Sequence, residues 1–178
     1  MARLPENMTK ILLKQGHIEL SNSIHYLQIA YWASRKNFPG TAAYFRYQYH
    51  EETTHALSFF DYLDRRSEFV NLEHNDKPKG EYKSPVDVFQ FYYDREYFNT
   101  NSISNIVTEA NKCSDWPTIA FLKEFLDEQL REVAVAEELL AKATAYSTNP
   151  ALYYEFDKEL KSYLPAANPV PSNLPPLK

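Results

Sequence analysis

The stretch YHEETTHALSFFDYL (residues 49–63) carries the reading of the whole chain. Its apolar residues recur at helical spacing. On a helix advancing about 100° per residue, Phe45, Gln48, Glu52, His55, Phe59 and Leu63 share one stripe. Glu52 and His55, at i and i+3, therefore fall on the face that a bundle would bury. Neighbouring segments repeat the anomaly. N-terminal to it, Met8, Leu12, Glu19, Tyr26 and Ala30 align, with Glu19 interrupting a core face. C-terminal to it, Phe89, Tyr92, Glu96, Ile103 and Val107 form a third stripe. A fourth holds Leu122, Phe125, Leu126, Gln129, Val133, Ala136 and Leu140, with Glu132 on its shoulder.

Punctuation marks the ends of these stripes. The chain has three glycines and eleven prolines, and five prolines (Pro165, Pro169, Pro171, Pro175, Pro176) fall in the last fourteen residues. Between the breaks lie four periodic segments, about 6–35, 40–67, 85–112 and 116–146, and a shorter one near 150–163. The fold class is all-α. Ser84-Pro85-Val86-Asp87 places a capping serine before a proline at the first helical position, and Asn149-Pro150 repeats the device. Asn37-Phe38-Pro39-Gly40 and Ser114-Asp115-Trp116-Pro117 are short breaks, so they predict antiparallel neighbours. Residues 68–83 form a longer link that runs the length of a bundle. The expectation is a four-helix bundle with a long crossover between helices 2 and 3 and a short fifth helix, one domain over 1–163. Residues 164–178 read as a Pro-rich extended tail.

Composition narrows the function. With 178 residues, 44% of them hydrophobic, the chain can bury a core. Nineteen Lys+Arg against twenty-four Asp+Glu give a net charge of −5, which offers no basic excess for nucleic acid or an anionic membrane. No apolar run approaches the roughly 20 residues of a membrane span. The single cysteine, Cys113, forms no intrachain disulfide, and the N-terminus shows no signal-peptide pattern, so a cytoplasmic location is expected.

Burying carboxylates that face one another is costly unless a positive charge sits among them. No Lys or Arg lies centrally in the four stripes; Arg66 is near a helix end and Arg131 is off the stripe of Gln129. A metal is the natural counter-charge. Carboxylates with a single imidazole suit iron or manganese, whereas zinc sites more often use several His or Cys. Iron fits best. A Glu from one helix, a Glu-x-x-His from the next and carboxylates from the other two is an arrangement that paired metals use in bundles. Gln129 and Glu132 stand where a second such motif would lie, so the two metal positions should differ in affinity. Trp32 and Trp116 read as packing residues, His17, His25, His50 and His74 as surface or structural, and Glu137-Glu138 and Asp64-Arg65-Arg66 as solvated faces with i,i+4 pairs.

At these residues the chain resembles a prokaryotic-type non-haem ferritin, from about residue 5 to 163. The resemblance is carried by HIELSNSIHY (17–26), YHEETTHALSFFDYL (49–63), the glutamate in YYDREYF (92–98), DWPTIAFLKEFLDEQLRE (115–132) and LYYEFDKEL (152–160). It implies iron storage and detoxification, with Fe(II) oxidised by O2 or H2O2 at an intra-subunit di-iron ferroxidase centre. Glu19, Glu52 and His55 would bind one iron, Glu52 would bridge, and Glu96 with Glu132 or Gln129 would hold the second. Tyr26 would hydrogen-bond beside the pair. It further implies a homo-oligomeric cage of twenty-four subunits filled with ferric mineral, the fifth helix packing around fourfold axes. Glu51, Glu128 and Glu132 match a third iron position, although Arg131 stands where that pattern often has glutamate. Apolar Ile119 and Leu122 fall at positions that resemble the acidic threefold channel of animal ferritins, a departure that implies iron entry elsewhere. Thr53 follows the bridging glutamate where a haem-binding relative is expected to have methionine, so no haem is expected. The same ligands would also serve a di-iron or manganese oxidase, or a peroxide scavenger, that retains its metals and does not mineralise.

Overall fold

A computed structural model describes residues 4–73 and 77–165; the expected tail from residue 166 onward, and His74, lie outside the described residues. Five α-helices follow one another: α1 (Glu6–Arg35), α2 (Pro39–Arg65), α3 (Pro85–Lys112), α4 (Trp116–Tyr146) and α5 (Pro150–Glu159), the last continuing into a 3-10 turn, Leu160–Tyr163. The described residues contain no strand. As the short breaks predict, α1 packs along α2 and α3 along α4, while residues 66–84 make the long crossover.

Local chemistry explains the helix ends. The Ser84 hydroxyl accepts from the Asp87 amide at 3.2 Å, and the Asn149 side chain accepts from the Ala151 amide at 3.0 Å. Asn37, Ser67 and Ser114 have φ of 61°, 61° and 55°, each two residues past the last residue of a helix. Behind each, paired amides turn back into the last turn: Asn37 and Phe38 to Ser34 and Ala33, Ser67 and Glu68 to Asp64 and Leu63, Ser114 and Asp115 to Asn111 and Ala110. These are Schellman ends made without glycine, so each carries the left-handed strain of an L-residue.

Two apolar clusters fill the bundle. One gathers Tyr26, Trp32, Tyr44, Phe45, Phe89, Tyr92, Leu139 and Phe156; the other gathers Met8, Leu12, Phe59, Leu63, Ile103, Leu122 and Phe125. Between them lies a buried polar layer of Gln15, Glu19, Asn22, Gln48, Glu52, Glu96, Asn99 and Gln129, contributed by all four long helices. The fifth helix is held by Asp157, whose fully buried carboxylate accepts from the Gly40 amide (2.8 Å), the Thr41 amide (2.8 Å) and the Thr41 hydroxyl (2.7 Å). That carboxylate caps α2 from the far end of the chain. Gly40 is required there, since a Cβ would sit 1.5 Å from the Asp157 carbonyl oxygen.

Three sequence expectations change. Trp32 packs in the core, but Trp116 is 63% exposed, because it opens α4 at the bundle's end and points away from its stripe. Arg66 is not on a solvated face: it is buried, and it bonds Asp115 at 3.1 Å and the Tyr62 hydroxyl at 2.6 Å. It joins the end of α2 to the start of α4. Leu122 is fully buried within the second apolar cluster, which leaves it no surface with which to line a channel.

Relieving the left-handed strain with Ser67→Gly or Ser114→Gly should stabilise the fold by about 0.5–1 kcal/mol each, read as a raised denaturation midpoint. Asp157→Ala should cost about 2 kcal/mol and loosen α5, read as faster amide exchange at Gly40 and Thr41.

Candidate metal centre

Each helix delivers its polar residue to the same level because each breaks its apolar stripe near mid-length. Glu19, Glu52 and His55 offer ligand atoms that lie within 4.8 Å of one another. Glu19 and Glu52 are at most 2% exposed, and the His55 side chain is 13% exposed. Glu96, Glu132, Glu51 and Glu128 fall outside that trio and are held differently.

Glu96 is fully buried and accepts from the Tyr26 hydroxyl through Oε1. The Tyr26 ring packs edge-on to Tyr92 at 5.4 Å and against Phe45 at 5.7 Å. Tyr92 donates to Glu132 Oε2 at 2.9 Å, so the hydroxyl of Tyr44, 2.9 Å away, must donate to Tyr92. Gln48 donates to Glu132 at 3.3 Å, and Gln129 accepts from the Thr100 hydroxyl at 3.0 Å. Glu51 takes the Tyr47 hydroxyl. Glu128 Oε2 lies 3.2 Å from His55 Nε2, which makes it a partner of the imidazole. Arg131 is exposed and turned outward, near enough to Glu128 to favour its ionised form.

Two buried atoms in this layer have no hydrogen-bond partner, His55 Nδ1 and Glu96 Oε2. Glu96 Oε2, and Nδ1 once the imidazole gives up its proton, are buried acceptors without donors, which a cation would satisfy. With Glu128 holding Nε2, the imidazole is oriented as metal-ligating histidines usually are, one nitrogen on a carboxylate and the other open. The donor set of carboxylates plus one imidazole fits iron or manganese.

The layer also contains residues that stripe reading missed. Gln15 lies i−4 from Glu19 and Asn99 i+3 from Glu96, so both were on the marked faces and readable as polar interruptions. Arg95 was not readable. It sits beside the stripe of α3, yet its Nε reaches Asn22 Oδ1 at 2.7 Å, bringing a guanidinium closer to the centre than the sequence suggested. Asn22 in turn donates to Glu52 at 3.5 Å.

Burial, reinforced by Glu19 and Glu96, drives the Glu52 carboxyl well above its usual range. Burial likewise pushes Glu96 up to about 8, against the opposing hydrogen bond from Tyr26, and Glu51 up to about 7. Burial disfavours the His55 cation, but the Glu128 hydrogen bond and the neighbouring carboxylates outweigh it and raise His55 to about 9. The metal-free layer thus holds protons that the unfolded chain would release.

Groups whose folded values are raised contribute stability that is complete below their ordinary values, 4.5 for Glu and 6.5 for His, and lost as pH rises through the folded ones. The lowered value of Glu128 acts in the opposite sense, but only on the acid side of this window. Metal-free protein should therefore lose stability between about pH 5 and pH 9, and Co(II) added at pH 8 should restore it while displacing protons. Denaturant midpoints at several pH values check the sign: a midpoint that climbs across this window would contradict it.

Comparison with known proteins agrees with this architecture. Residues 9–145 match the family model for the ferritin-like domain. The bacterial non-heme ferritin of Escherichia coli O6:H1 is 31% identical over 159 residues, covering 89% of this chain and 96% of the relative. That of Campylobacter jejuni is 27% identical over 159 residues, covering 89% and 95%. Among solved structures, the open pore ferritin of the hyperthermophilic archaeon Archaeoglobus fulgidus superposes with a TM-score of 0.85 at 29% identity, covering 88% of this chain and 97% of the other. The chain is a member of the ferritin family, built as an all-α ferritin-like bundle with a short fifth helix.

Proposed function

We propose that this protein stores and detoxifies iron, oxidising Fe(II) with O2 or H2O2 at a pair of positions inside each subunit and depositing ferric mineral in a cage of twenty-four subunits. The observation that carries the reading is the trio Glu19, Glu52 and His55, with ligand atoms within 4.8 Å of one another in a buried layer where Glu96 Oε2 also lacks a donor. Glu19 and His55 hold the first Fe(II), Glu52 bridges, and Glu96 with Glu132 or Gln129 receives the second. Glu51 and Glu128 offer oxygens on the outer side of the pair.

Charge balance gives the direction of the reaction. Ionised Glu19, Glu52, Glu96 and Glu132 offset two Fe(II). Each Fe(II) loses one electron; the two electrons, with two protons, reduce O2 to H2O2 or H2O2 to two water molecules. The charge added by oxidation is met by hydroxide or oxide from water, which releases protons. Hard carboxylates favour Fe(III). Tyr26 and Tyr92 keep Glu96 and Glu132 in place by donating to them, and the two apolar clusters exclude water on either side.

Rapid mixing of metal-free protein with two Fe(II) per subunit in air, followed by near-ultraviolet ferric absorbance, tests the reading. A fast phase that saturates near two irons per subunit and disappears in Glu52→Ala is expected. Absence of a fast phase in the unaltered protein would sink it, and retention of two metals without further iron loading would favour a non-mineralising oxidase.

A further inference from the structure

Glu19 carries an amide donor on each of its two oxygens, and its surroundings have a direction. Gln15 Nε2 donates to Glu19 Oε1 at 2.7 Å, and Asn99 Nδ2 donates to Glu19 Oε2 at 3.0 Å. The same Gln15 amide gives its second hydrogen to Asn99 Oδ1 at 2.5 Å. Behind it, the Ser102 hydroxyl donates to Gln15 Oε1 at 2.6 Å. Gln15, Glu19 and Asn99 are all fully buried.

Each bond in this chain dictates the next. An ionised carboxylate only accepts, so both amides must turn their nitrogens toward Glu19. The carboxylate settles the orientation of Gln15, because a flipped amide would set Oε1 against Glu19; the Ser102 hydroxyl then donates to the Oε1 left facing it. Gln15 then occupies Asn99 Oδ1, which leaves only Nδ2 to face the second oxygen. One donor on each oxygen uses two of about four acceptor positions of the carboxylate. The remaining lone pairs are available toward Glu52 and His55.

We infer that Gln15, Asn99 and Ser102 are positioning residues that lock Glu19 in one orientation and so make the Glu19–Glu52–His55 position the tighter, first-filled half of the pair. The inference rests on the iron-binding reading above and deepens it. The second position is framed less evenly: Glu96 accepts from Tyr26 while its Oε2 is orphaned, and Glu132, at a less buried position, takes both Tyr92 and Gln48 on the single oxygen Oε2. Neutral amides suit the task, since they donate without carrying charge and have no proton to lose at physiological pH. Second-shell partners of this kind are typically worth about 10- to 100-fold in metal affinity.

The test uses Co(II), which binds without oxidation and whose visible spectrum reports the ligand field. The assembled protein, Asn99→Leu, Ser102→Ala and Glu52→Ala are titrated under argon by calorimetry and absorption. The unaltered protein should bind Co(II) in two unequal steps. Asn99→Leu should weaken the stronger step about 10- to 100-fold and shift its visible bands, leaving the weaker step within a factor of two. Ser102→Ala, which removes no donor from Glu19 and lies at a less buried position, should weaken the same step by a smaller factor. A variant with Asn99→Leu that retains both the affinity and the bands of the stronger step overturns the inference. If Asn99→Leu fails to fold, unchanged binding by Ser102→Ala overturns it instead. Failure of the underlying reading looks different: the unaltered protein and Glu52→Ala would then titrate alike.

Discussion

Everything in the bundle is arranged around a cost: carboxylates from four helices meet in a layer from which water is largely excluded. Ionised groups in such surroundings cannot coexist without compensation, and fully replacing them with apolar residues would cost nothing in packing. The protein instead surrounds them with aligned donors. Amides face Glu19, phenols face Glu96 and Glu132, and the His55 imidazole, paired with Glu128, stands beside Glu52. Two apolar clusters on either side supply the burial that offsets the layer and the low dielectric that strengthens its contacts. Stability is thus concentrated at the two ends of the bundle, while the middle is adapted to a cation.

The two halves of the centre are supported by different chemistry. Glu19 rests on amides, which have no accessible protonation state, whereas Glu96 and Glu132 rest on Tyr26 and Tyr92, whose hydroxyls burial holds firmly protonated. An amide on each oxygen of Glu19, against an open oxygen on Glu96, gives the pair an inherent asymmetry. Such asymmetry suits a substrate metal that must enter, react and leave, more than a cofactor that must stay.

Much of the architecture was legible because helix periodicity and cap chemistry are local. Ser84-Pro85 and Asn149-Pro150 are read from two residues each, and the α1 and α3 spans follow directly from the apolar spacing. The inward carboxylates were legible for the same reason, as breaks in a stripe. What escaped depends on distances between helices. Arg66 looks like one of three charged residues in a row, and only the approach of Asp115 from α4 buries it. Trp116 looks like core, and only its place at the mouth of the bundle exposes it. Asn99 shares a stripe with Glu96, yet its partner is a carboxylate eighty residues away on α1, a relation no periodicity encodes. Family resemblance supplied the expectation of a metal pair but not the amides behind Glu19.

The capping of α2 by Asp157 has a consequence for how the chain matures. Helix caps are usually neighbours in sequence, available the moment a helix forms. Here the carboxylate that satisfies the amides of Gly40 and Thr41 is made 117 and 116 residues later. During synthesis α1 and α2 can pair while the start of α2 still has its first amides open to water, and only the arrival of the last helix closes them. The fifth helix therefore acts as a local seal, one that forms only once synthesis has passed Asp157.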